Sequence, residues 1–203
     1  MEYHYQEKII HKSKIATIFF IVKFLINCLR LWAPLLLYVL SSKKKLILSD
    51  VDTFGNLCLS LVYSKHYRNL FYYRIGRHSL LLSWIMPGDQ SIIIHNSMKM
   101  GEHAHFVHNT ETNINGEEIG RNFICYQHVT IGTKNLFSDG KPTIGDDVTL
   151  YTGAVVVGKI HVGNNVNVGA NTLVCKDVPD NCTICGNPAI IVKRNGKIVN
   201  EKL

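Results

Sequence analysis

Two hydrophobic periods divide the chain. Ile144, Leu150, Val156, Val162, Val168 and Val174 are all aliphatic and lie six positions apart without a miss. An α-helix repeats every 3.6 residues and a strand every two, so neither explains an isolated aliphatic at every sixth position. Short flat strands wound into a solenoid do explain it, each supplying one inward residue. Four positions after each of these come Val148, Ala154, Ile160, Val166, Thr172 and Val178, small or β-branched residues suited to a second inward slot. An earlier block keeps the count through Ile94, Met100 and Phe106 and then through Ile119, Cys125 and Ile131, with one residue added between the two sets. The stretch TKNLFSDGKPT, residues 133–143, interrupts the count. It predicts a loop extruded from the solenoid, where such scaffolds carry function.

The front half has a helical period. Ile15 to Leu40 is long enough to cross a bilayer, but Lys23, Asn27, Arg30 and Pro34 recur at steps of four, three and four. That spacing predicts a narrow polar stripe opposite a broad apolar face. A spanning helix, an in-plane helix on a membrane surface, and a helix packed in a cap or subunit interface all fit the length. Two charges near the middle weigh against the first, and the sequence leaves the other two open. Residues 46–86 continue the helical style. There Arg68, Arg74 and Arg77, with Tyr67, Phe71, Tyr72 and Tyr73, read as a solvated helix face rather than a surface for an anionic partner. Pro87-Gly88-Asp89 breaks the pattern. The division is therefore a helical region over 1–87, a solenoid over 88–193 and a tail over 194–203.

Charge and cysteine content narrow the setting. The formal net charge is +7, and the first fifty residues hold Lys8, Lys12, Lys14, Lys23, Arg30, Lys43, Lys44 and Lys45 against Glu2, Glu7 and Asp50. A basic front end suits an anionic polymer or anionic lipid, the latter on the inner face of a plasma membrane. No nucleic-acid motif accompanies it, so nucleic acid is not an expected partner. Six cysteines without a cleavable signal sequence fit a reducing, cytoplasmic compartment. Cys182 and Cys185 have CxxC spacing but lack a second ligand pair, and read as small residues in a tight coil.

The sixfold [Ile/Val/Leu]-Gly-x4 pattern, the extruded loop and the ending Gly186-Asn187-Pro188-Ala189 resemble the hexapeptide-repeat acyltransferases. The stretch from Ile92 to Gly132 is most similar to their serine acetyltransferase branch, including relatives from surface-polysaccharide synthesis. The resemblance covers residues 90–193. It implies a mainly β fold, a left-handed parallel β-helix with three strands per coil, preceded by an α-helical segment. It also implies acetyl-CoA as co-substrate, no metal, and a homotrimer with its grooves between protomers. Within GEHAHFVHN, alternation turns His103 and His105 outward. The resemblance gives His108 the role of deprotonating the acceptor hydroxyl, with His128 stacked nearby as a second catalytic candidate and Asn109 and Lys141 as acceptor-binding residues. By the same resemblance Gly153, Ala154, Gly169, Ala170, Gly186 and Lys193 bind the co-substrate.

Three family positions are altered. The aspartate before the histidine is Val107, the orienting carboxylate falls on Ile93, and the loop histidine aligns with Lys141. These losses, together with YRNLFYYRIG, place a saccharide hydroxyl ahead of L-serine as the expected acceptor. A non-catalytic or metal-binding β-helix is the reading from a different class.

Overall fold

The computed structural model describes residues 14–135 and 140–203; Lys8, Lys12 and loop residues 136–139 lie outside that range. The sixfold pattern forms a three-sided parallel β-helix of about five coils. Its first face stacks Ile92–Ile94, Thr112–Ile114, Thr130–Gly132, Val155–Val157 and Leu173–Val174. The second stacks Lys99–Met100, Glu118–Ile119, Thr143–Ile144 and His161–Val162, and the third His105–Phe106, Ile124–Cys125, Thr149–Leu150, Asn167–Val168 and Cys182–Cys185.

Register sets the predicted inward residues directly over one another and adds two that the count did not name, Ile114 and Ile184. Ile94, Ile114, Ile131, Val156 and Val174 form one ladder. Met100, Ile119, Ile144 and Val162 form the second, and Phe106, Cys125, Leu150, Val168 and Ile184 the third. All are buried except Ile94 and Phe106, which are half-buried. The spacing runs between 17 and 20 over the first coils and departs further from eighteen in two later places. Stacked positions across the loop are 25 residues apart, as between Arg121 and Asp146. In the last coil they are 16 apart, as between Asn164 and Asp180. Val178, predicted for a second inward slot, therefore bridges Val162 in the ladder itself. Pro179 follows it and has no N–H to extend the strand.

The edge between the second and third faces is held by side-chain caps. Asp146 Oδ1 accepts from Arg121 N (2.7 Å), Asn164 Oδ1 from Asp146 N (2.9 Å), and Asp180 Oδ1 from Asn164 N (2.7 Å). Each satisfies an amide that turning the corner would otherwise strand.

Among the described residues five α-helices precede the solenoid, α1 (Lys14–Arg30), α2 (Trp32–Leu40), α3 (Lys44–Ser49), α4 (Phe54–Tyr63) and α5 (Lys65–Ile75), followed by a 3-10 turn over Gly76–Leu81. Thr53 and Ser64 cap α4 and α5 by accepting from Asn56 N and Tyr67 N. α5 closes the open end of the solenoid: Leu70 joins the solenoid core, Tyr67 and Tyr73 pack against it, and Tyr73 Oη donates to Met98 O. Arg74 donates to both Asp50 oxygens (2.9 and 3.0 Å) and to the carbonyls of Met100 and Gly101 (both 2.6 Å). Asp50 in turn accepts from Ala104 N at 3.0 Å.

This corrects the reading of α5 as a solvated face. Arg68 and Arg74 are buried, and Arg68 is spent on the carbonyls of Leu61, Val62 and Pro87. The polar stripe of α1 and α2 is also redrawn. Lys23 and Arg30 are exposed, but Pro34 is buried and Asn27 Nδ2 donates inward to Val62 O at 3.1 Å. At the other end, the segment from 194 onward is not a loose tail. Ile190–Arg194 runs antiparallel to Cys182–Cys185, Lys197–Lys202 pairs with it in turn, and Val199 and Leu203 pack against the core.

Removing one partner of a buried ion pair leaves the other charge uncompensated, at a cost of about 3–5 kcal/mol. Asp50→Ala should therefore lower the unfolding free energy by that amount in denaturant titrations. Asp52→Asn, at an exposed left-handed position two residues on (φ 67°) that asparagine also tolerates, should change it by less than about 0.5 kcal/mol.

Candidate active site

Where the third face passes into the first face of the next coil, the ladder register carries on into the edge. One residue past the ladder stand Val107, Tyr126, Tyr151, Gly169 and Cys185; their amides, Cys185's apart, donate to the third-face carbonyls of the next coil. Two residues past it stand His108, Gln127, Thr152, Ala170 and Gly186. His108 is exposed and its backbone is left-handed, with φ 51°. That conformation turns the side chain out at the corner, and histidine tolerates it better than a β-branched residue.

The first coil then takes up extra residues. His128 N donates to Thr110 O at 3.0 Å, so His128 lies over Glu111 and not over Asn109 as the count predicts. Glu111 Oε2 is 3.3 Å from His128 Nδ1. A carboxylate therefore stands beside an imidazole at this edge, although on the second histidine and from a position outside the family pattern. A carboxylate at that distance favours the tautomer with the proton on Nδ1, although both side chains are largely exposed.

Asn109 turns inward at the same corner. It is fully buried, and its Oδ1 accepts from Thr112 Oγ1 at 3.2 Å. Its Nδ2 is buried without a hydrogen-bond partner among the described residues, and burial pushes the pKa of the neighbouring Cys125 thiol far above the usual range. Asn109 holds the corner and presents nothing to an acceptor, which corrects its placement among the substrate-binding residues. Ala154 is likewise fully buried in an inward slot, so Gly153 alone of that pair faces the edge. Gly153 has φ 72°, and a Cβ there would meet Asn171 Oδ1. The glycine thus serves the coil as well as the groove.

Along this edge the structure gathers His108, His128, Gly153, Gly169, Ala170 and Gly186. It does not bring the two lysines to them. Lys141 sits across the first face, just before Thr143–Ile144, with Nζ donating to Ser97 Oγ at 3.2 Å. Lys193 is exposed on the antiparallel strand beyond the last coil, opposite Thr183. His103 turns at the preceding corner with φ 57° and His105 is exposed on the third face, so the three crowded histidines diverge. Among the described residues no three His, Cys, Asp or Glu side chains cluster as metal ligands. Cys182 and Cys185 are an odd number of positions apart on one strand, with Cys182 buried and Cys185 half-buried, so their sulfurs take opposite faces.

Two further groups were not legible in the sequence. Tyr126 and Tyr151 stack with ring centroids 5.2 Å apart and planes at 19°, beside His108's column. The loop-bearing coil puts them 25 residues apart, which hides them from any sixfold count. From the cap, His66 on α5 has Nδ1 3.8 Å from Asp89 Oδ2. Burial lowers the His66 pKa, Asp89 raises it, and charge on His108 lowers it again, so these groups share one neighbourhood. Ile93 and Val107, where carboxylates were sought, are exposed and half-buried respectively.

No protein-family model matches the chain. Among curated proteins it is 45% identical over 87 residues to a serine acetyltransferase of Bacillus pumilus, covering 42% of this chain and 40% of that one. It is 41% identical over 113 residues to that of Staphylococcus aureus, covering 54% and 53%. The chain thus spans about half the length of these relatives, or less. Among solved structures, soybean serine acetyltransferase superposes with TM-score 0.64 at 27% identity, covering 74% of this chain and 69% of that one. The Neisseria gonorrhoeae enzyme gives 0.63 at 26%, covering 76% and 66%. The chain shares their β-helix fold.

Because folding lowers the His66 pKa, the native state favours neutral imidazole. Its contribution to stability is present above the unfolded value of about 6.5 and lost as pH falls through the lower folded value. Unfolding midpoints should fall on acidification below that point, and His66→Gln should flatten this part of the profile.

Proposed function

We propose that the chain is an acetyl-CoA-dependent O-acetyltransferase of the serine acetyltransferase kind, with L-serine as its first acceptor. The observation that carries this reading is the likeness to proteins of that name, among them solved structures titled as complexes with serine, at 27% identity, and with cysteine, at 30%. The order of acceptors drawn from the sequence is thereby reversed. His108 supports the chemistry: an exposed imidazole at one end of an edge whose later coils carry Gly153, Gly169, Ala170 and Gly186, with Gln127 and Thr152 between in its own column. The small residues of those later coils leave room for a long thioester donor.

In the proposed reaction His108 takes the proton from the acceptor hydroxyl as its oxygen bonds to the thioester carbonyl carbon. The tetrahedral intermediate collapses, the C–S bond breaks, and the same imidazole returns the proton to the departing thiolate. Glu111 favours one tautomer of His128, so that its Nε2 orients the acceptor. In a homotrimer, Lys141 would reach the edge only from a neighbouring copy, because its own lies across a full face.

Saccharide remains the second reading, favoured by the Tyr126–Tyr151 stack. An aromatic face beside the base suits the flat C–H face of a sugar ring, and Tyr151 is exposed next to side-chain-free Gly169.

Free CoA release in the presence of serine or of sugars separates the two readings. His108→Ala should lower kcat/KM by about 10²–10⁴, and an unchanged rate would remove His108 from the chemistry. If the acceptor is a sugar, Tyr151→Ala should raise its KM by roughly 2–12-fold, the worth of one aromatic pair, whereas serine turnover should not respond. Stimulation by sugars and not by serine would restore the saccharide to first place.

A further inference from the structure

α1 and α2 present their apolar side to the outside. Their inward side is fixed: Phe24 stacks on Tyr63 with centroids 5.4 Å apart, Asn27 bonds Val62 O, and Ala33, Pro34 and Leu37 are buried. The outward side carries Phe19, Val22, Leu25, Leu29, Leu36 and Leu40, with Phe19, Leu29 and Leu40 exposed to 72%, 77% and 74%. An ordinary surface helix has the reverse arrangement, and a contiguous apolar face of this kind marks an interaction site.

We propose that this face docks in the plane of an anionic lipid bilayer, with the flanking cations on headgroup phosphates. Thr17–Leu40 is long and apolar enough to cross a membrane by length and composition. Although only 17% of that window is buried, one side of it is held to α4 through Phe20, Phe24 and Asn27 and to the buried cluster around Leu57 through Leu31, Leu35 and Leu37. A helix held on one side by protein can lie at the interface but cannot be surrounded by lipid, and Trp32, 55% exposed, has the residue type enriched at that depth.

Charge decides between lipid and a second copy of the chain. From residue 17 to 86 the exposed cations are Lys23, Arg30, Lys43, Lys44, Lys45, Lys65 and Arg77, against one exposed carboxylate, Asp52. A symmetric contact between copies would set these cations against their equivalents, whereas an anionic surface neutralises them. Three residues past Leu40, Lys43 also opens a cavity of about 520 Å³ whose lining includes Arg77 and Lys99 and no carboxylate. This surface lies outside the proposed transfer chemistry and stands or falls independently of the acceptor.

The full chain should float with phosphatidylcholine vesicles that contain phosphatidylglycerol and not with phosphatidylcholine alone, and added salt should release it. Leu25→Glu with Leu29→Glu should abolish flotation. Lys43→Gln, Lys44→Gln and Lys45→Gln together should weaken it about 100-fold, near fivefold for each cation. Should the glutamate variant fail to fold by circular dichroism, the lysine variant decides alone. Absence of flotation, or flotation indifferent to salt and to the lysines, overturns the proposal. So does a solution oligomer that the glutamate pair dissociates while vesicles bind nothing, since that result gives the face to a second copy.

Discussion

A single coil of this solenoid has no interior of its own. Its inward aliphatics are buried only because identical positions of the coils on either side cover them, as Cys125 lies between Phe106 and Leu150. The hydrophobic gain, about 25 cal/mol for each Å² removed from water, therefore belongs to the stack. The same stacking sets the edges. A residue two positions past a ladder stands where the ladder puts it, which is how His108 comes to share a column with Ala170 through three strand pairings and with Gly186 through four.

Such a stack needs both ends closed. At the helical end, Arg74 uses its guanidinium as a rivet, with two bonds to Asp50 and two to the carbonyls of the first coil. The cost of burying that charge is offset by the number of acceptors it finds. The helix that brings Arg74 also brings His66 into the surroundings of His108, and its Asn69 holds Asp89 beside that histidine. End closure and the surroundings of the candidate site therefore share one helix, and changes to α5 act on both.

The ladders were legible because each inward slot has the same local surroundings, so a six-residue count suffices. The count fails wherever the chain leaves that repeat. Extra residues after His108 turn Asn109 inward and slide His128 over Glu111, and no local pattern announces either event. Arg68 and Arg74 read as surface residues because their partners are mostly backbone carbonyls, which a sequence does not display. Asn27 and Pro34 misled for a related reason: the asparagine is satisfied by Val62 O, and the proline is simply buried. The fold depended on repetition and could be read, whereas the details of the site depend on departures from repetition.

The antiparallel pair Ile190–Arg194 and Lys197–Lys202 has a consequence beyond closing the core. A stack of parallel strands ends in a row of unsatisfied amides and carbonyls with the geometry of its own next layer. Folding the last strand back on itself presents any incoming molecule with reversed direction, charged by Lys197, Glu201 and Lys202. Fibre growth is thereby denied its template at the point where the architecture would otherwise invite it.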